Sequence, residues 1–110
     1  MDRAEELLRR LALNDEKSVA SVLTGDRLAE GEAPPLMPKV ETLVRLGALL
    51  AVGAATTSLR PTVELALALG ATEDEIVAVL VAVGPAVGLA RLVTTAPRLA
   101  IAIGYDIDDE

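Results

Sequence analysis

The sequence predicts an all-α protein, and three observations carry that reading. The stretch Gly70-Ala71-Thr72-Glu73-Asp74-Glu75-Ile76 reads as a helix stop followed by a helix start. Gly70 suits the left-handed position that closes a helix. Thr72 can cap the next helix, with Glu75 reaching back in a capping box, and the Glu73/Asp74 charge complements the helix dipole. The second observation is the run of fifteen uncharged residues that follows, Ile76 to Ala90. A helix apolar on all sides must be buried, so the neighbouring elements are expected to pack around this one. The third is the lack of a surviving strand pattern. The Val/Ala alternation at 77–83 has strand period, but the capping box and the length argue for helix.

The elements follow in order. Asp2 to Leu13 reads as an amphipathic helix with an Asp2/Glu5 capping box and Ala4, Leu7, Leu8 and Leu11 on one face. Asn14 can cap a second short helix to about Leu23, with Val19, Val22 and Leu23 inward. Residues 24–37 contain Gly25, Gly31, Pro34 and Pro35 and read as a loop with a helical turn near Asp26–Ala29. Pro38 opens a third helix, to about Ala54. Glu41 and Arg45 support it at i,i+4. Ser58 can cap a fourth helix through Leu69, with Pro61 in its first turn. The central helix runs from Glu73 to about Val83, where Gly84-Pro85 is expected to break or kink it. Pro85 then starts another helix to Thr94. Thr94 or Thr95 caps a last helix over Pro97–Ile103, closed by Gly104, and residues 106–110 form an acidic tail. The count is about six to seven helices.

The chain reads as one domain of 110 residues. Residues 1–37 are an N-terminal helical cover and loop, 38–105 a helical core and 106–110 the tail. Apolar residues make up 52%, with no Phe or Trp and one Tyr, so the core must be aliphatic and its helices closely spaced. Without cysteine there is no disulfide or thiol chemistry, and without histidine the commonest metal ligand and general base are missing. The expectation is no metal and no cofactor. A net charge of −7 disfavours nucleic acid, which needs clustered Lys and Arg. The longest uncharged run falls short of the roughly 20 residues of a membrane span, and the charged N-terminus lacks a secretory signal, so the expected location is the cytoplasm. Charge is unevenly spread: residues 1–42 carry 15 charges and residues 43–105 only 8. The apolar excess of the second stretch predicts self-association.

Three segments carry a resemblance: Leu43 to Ala54, Ala66 to Ile76, and Gly84-Pro85-Ala86-Val87-Gly88-Leu89-Ala90-Arg91. Together they resemble the carboxymuconolactone decarboxylase family, which includes the alkylhydroperoxidase D type proteins. The likeness covers about residues 38–103 and implies an all-α bundle assembled as a homotrimer or homohexamer. The peroxidase chemistry does not carry over. The positions of the branch's Cys-x-x-Cys and following His are held here by Ala55, Ser58 and Thr62, and its upstream Glu falls near Thr42 or Leu43. A thiolate nucleophile and its proton relay are therefore missing. The decarboxylase branch needs no cysteine, and implies a lyase acting on a small carboxylate or lactone.

The candidate residues are few. Arg45, paired with Glu41, and Arg60, paired with Glu64, read first as ion pairs of small value. An arginine fork also matches a ligand carboxylate, which makes Arg45 a binding candidate; Arg91, just past the apolar run, either snorkels out or pairs across a subunit interface, or lines a pocket as a second binding candidate. Ser58 and Thr62 stand where the relay would be, although capping and first-turn roles suffice for both. Glu64 is the best-placed carboxylate for acid–base work if burial raises its pKa. Tyr105 reads as a C-terminal anchor. Two functions stay open: an enzyme acting on a small carboxylate or lactone, and a non-catalytic homo-oligomeric binding or scaffold protein.

Overall fold

The computed structural model describes residues 2–25 and 36–106. The expected turn at Asp26–Ala29 and most of the acidic tail lie outside them. The described residues form six α-helices and no strand. The chain divides into two units, 1–36 and 37–110.

The first unit holds α1 (Arg3–Ala12) and α2 (Glu16–Thr24). Asp2 caps α1 by accepting the Glu5 N–H at 2.8 Å, but Glu5 returns no bond, so the expected capping box is half made. Asp15, not Asn14, caps α2, accepting the Ser18 N–H at 3.1 Å and its hydroxyl at 2.8 Å. Asn14 instead takes the left-handed conformation, φ 58°, which Asn tolerates better than most residues, and so makes the turn between the helices. Ser18 is the one buried residue of the pair. Val22 and Leu23, expected inward, are 50% and 79% exposed.

The second unit holds α3 (Pro38–Val52), α4 (Thr56–Ala68), α5 (Glu73–Val87) and α6 (Leu89–Ile103). Pro38 opens α3 as expected, and Gly53 at φ 77° closes it. The start of α4 differs from expectation. The helix begins at Thr56 with Ala55 at the cap position, and no side chain caps it. Ser58 lies inside the first turn, and Pro61 falls in the second turn, where its missing N–H leaves the Thr57 carbonyl without its helical donor.

The start of α5 is as the spacing predicts. Thr72 accepts the Glu75 N–H at 3.0 Å, and the Glu75 carboxylate accepts the Thr72 N–H at 2.9 Å. Its end is not. The helix runs through Gly84-Pro85 to Val87 and stops at Gly88. The clash that usually bars helical backbone before proline involves the preceding Cβ, and Gly84 has none. Gly88 takes φ 86°, ψ 172°, a region essentially reserved for glycine, and the break falls there. One continuous helix, α6, replaces the two expected after it. Thr94 bonds back to the Ala90 carbonyl at 2.9 Å, as an interior residue does, rather than capping a helix at Pro97. Gly104 at φ 108° ends α6, and the Tyr105 hydroxyl donates to Glu73 at 2.8 Å.

The core lies among α3, α4 and α6. Leu46, Leu50, Leu59, Val63, Ala66 and Leu99 are at most 2% exposed. The expectation that the neighbours enclose α5 is overturned: Ile76 is its only buried residue, and Val81 is 69% exposed. All-round apolarity fixed no inward face for α5, and it packs along α3 over Gly47. A Cβ on Gly47 would stand 3.4 Å from the Val79 and Val83 methyls, so the small residue sets the close approach.

Candidate functional site

The five sequence candidates are spread over three helices, α3, α4 and α6. Arg45 is exposed on α3 and pairs with Glu41 at 3.7 Å. At that exposure the pair is worth at most a few tenths of a kcal/mol. Ser58 is exposed in the first turn of α4 and Thr62 is half-buried one turn later. Glu64 is exposed, so the burial that would fit it for acid–base work is absent. Arg60 and Glu64 form no ion pair.

Arg91 is the candidate with a specific setting. Its guanidinium Nη1 occupies the place where a Cβ on Gly53 would stand. A second arginine, Arg98, reaches the same turn and donates from Nη1 to the Gly53 carbonyl at 2.9 Å and the Ala54 carbonyl at 3.5 Å. Both side chains therefore sit at the C-terminal end of α3, where the helix dipole favours cations. Sequence reasoning missed Arg98. The available signal was its spacing from Arg91: seven residues, two helical turns, puts both on one face of α6. Thr95 lies between them on that face, fully buried, and its hydroxyl has no hydrogen-bond partner.

A concavity lies elsewhere. A groove of 510 Å³ runs between α3 and α5, lined by Val40, Leu43, Val44, Gly47, Ala48 and Ala51 on one side and Val79, Ala82 and Val83 on the other. None of the nine lining side chains carries a polar atom, so the groove holds no acid, base or nucleophile. Small-molecule sites are mostly apolar but include a few placed polar groups. This one does not.

Shifted pKa values fall at helix starts and not at the groove. Asp15 is held below its usual range by the Ser18 hydroxyl and N–H. Glu75 is held low first by the Thr72 N–H and then by Lys39, whose ammonium lies 3.1 Å away. Tyr105 is pushed up by its bond to the Glu73 carboxylate. Each shift follows from a local contact that fastens secondary structure.

Among the described residues no group of three His, Cys, Asp or Glu side chains is placed to hold a metal, and no helix is long and apolar enough to cross a membrane. No protein family, curated protein or solved structure matches the chain.

Proposed function

We propose that the protein is a non-catalytic, homo-oligomeric binding or scaffold module, a cysteine- and histidine-lacking relative of the carboxymuconolactone decarboxylase type, that assembles as a trimer or hexamer through the α3/α5 groove. The observation that carries this is the wholly apolar lining of that groove. Val44, one of its lining residues, is 57% exposed, and Val40 beside it 41%. Contiguous apolar surface of this kind marks association sites. A second copy of the chain fits as occupant because the lining carries no charge. Two copies of a chain with net charge −7 can meet there without setting like charges face to face. Closed symmetry buries such a face without open-ended growth, and the resemblance over residues 38–103 points to threefold rings.

Light scattering during gel filtration tests the proposal. The expected mass is three or six times 11.4 kDa, falling to the single-chain value for Val44→Glu, with the helical circular dichroism of that variant retained. A wild-type mass near 11.4 kDa refutes it.

One observation favours a second reading, an enzyme or former enzyme acting on a small carboxylate or lactone. Arg91 and Arg98 gather two guanidinium groups at one turn. Against it stands the exposure of Glu64, the nearest thing to a catalytic acid in the sequence. Thiol peroxidase chemistry is excluded outright by the lack of cysteine.

A further inference from the structure

We infer that one end of the second unit is a docking surface for an anionic lipid membrane, formed by the ends of α3 and α5 and the start of α6. The packing of the helices defines that end. Arg98 donates to the Gly53 carbonyl and Arg91 lies over Gly53, so α6 begins where α3 stops. Lys39 pairs with Glu75 at 3.1 Å, and Tyr105 donates to Glu73 at 2.8 Å. The starts of α3 and α5 and the end of α6 therefore share the opposite end.

Apolar surface is concentrated at the first of these ends. The four most exposed large aliphatic residues within α3–α6 are Leu89, Val52, Val81 and Val93, at 77%, 71%, 69% and 61%. All four lie in the last half of α3 or α5 or in the first half of α6. Exposure falls along the same helices toward the other end: Val77 is 38% exposed and Ile101 44%. None of the four lines the α3/α5 groove, so this is a second apolar surface.

Charge divides the same way. Residues 42–63 and 76–105, which supply the aliphatic end, contain no acid. The charges there are arginines, Arg91 and Arg98 at the Gly53 turn and Arg60 in the second turn of α4. Glu73, Asp74 and Glu75 stand at the opposite end. A helix the length of α6 spans about 22 Å, well beyond the roughly 8 Å over which charge is felt in physiological salt. The acids therefore do not repel a surface that meets the arginines. Exposed aliphatic side chains can enter the boundary of the acyl chains while arginine heads stay among anionic headgroups. A second copy fits less well. A twofold contact sets arginines against arginines with no acid on either side, and in a head-to-tail contact Lys39 and Tyr105 already hold two of the three α5 carboxylates. No described helix is long and apolar enough to cross the bilayer, so the contact is with its surface.

The surface is separate from the groove, so the proposed assembly can fail and leave it standing. The test is flotation of the full chain with vesicles of two parts phosphatidylcholine to one part phosphatidylserine, and with vesicles of phosphatidylcholine alone. The chain is expected to float with the first and to stay behind with the second. Leu89→Glu should abolish flotation with helical circular dichroism unchanged, because Leu89 is exposed. Val52→Glu, on another helix, should do the same. Arg91→Gln should weaken binding about fivefold, the worth of one arginine near an anionic surface. Val44→Glu, in the groove, should still float. No flotation of the wild type, or flotation that Leu89→Glu and Val52→Glu leave unchanged, overturns the surface. Equal flotation with phosphatidylcholine alone overturns the assignment to anionic lipid. A fall in solution mass on Leu89→Glu, read by light scattering without vesicles, overturns the proposal by giving the face to a second copy.

Discussion

Helices α4 and α5 both follow a sharp turn, yet their starts are built in opposite ways. At α5, Thr72 and Glu75 satisfy each other's backbone groups, three acidic residues occupy the first turn, and Lys39 and Tyr105 fasten onto Glu75 and Glu73. At α4, the cap is an alanine, the first turn has no acid, and arginines stand nearby. The first start is closed by its own side chains, and the second is left open. The difference separates a joint fastened by residues three apart from one whose polar partner, Arg98, comes from 45 residues away.

Three substitutions test the contrast. Thr72→Ala removes the cap and should destabilise by about 1 kcal/mol, read as a lower denaturant midpoint at unchanged slope. An unmoved midpoint would mean that the closed start contributes nothing. Glu75→Gln gives a smaller, pH-dependent loss. The folded-state pKa of Glu75 lies below its ordinary 4.5 because the Thr72 N–H and then Lys39 favour the carboxylate. Its contribution is therefore fully present above pH 4.5 and is lost as pH falls through the lowered value. Denaturation curves of wild type and Glu75→Gln should differ at pH 7 and converge in acid. A gap that persists in acid would assign the effect to packing. Ser58→Ala should change stability least, within about 0.5 kcal/mol, because Ser58 is exposed and caps nothing. A loss as large as that of Thr72→Ala would show that α4 is capped after all.

The same contrast explains what could be read from the sequence. The α5 start is local: a threonine and a glutamate three residues apart contain the whole device. Pro38 and Gly104 mark helix boundaries for the same reason. The α5–α6 boundary was misplaced because Gly84-Pro85 looks stronger than Gly88, although an interior proline breaks neither α4 nor α6, which carry Pro61 and Pro97. Burial of α5 was misjudged because a helix apolar on every face does not say which face goes inward. At the candidate site, Arg91 was legible as a charge ending an apolar run. Arg98 was not, because the carbonyl it bonds lies 45 residues away in the chain. The lack of a partner for Thr95 depends on packing, which no spacing rule encodes.

The bond between Tyr105 and Glu73 also governs how the protein appears in the spectrometer. With one tyrosine and no tryptophan or phenylalanine, the entire near-ultraviolet signal arises from a single ring. That ring donates to a carboxylate at 2.8 Å, a contact through which an excited phenol readily loses its proton and its emission. The expected emission is therefore low while this joint is closed and higher once it opens. A fluorescence melting curve follows the clasp between the end of α6 and the start of α5, whereas far-ultraviolet circular dichroism follows the helices. Where the two curves separate, the C-terminus has let go before the core has melted.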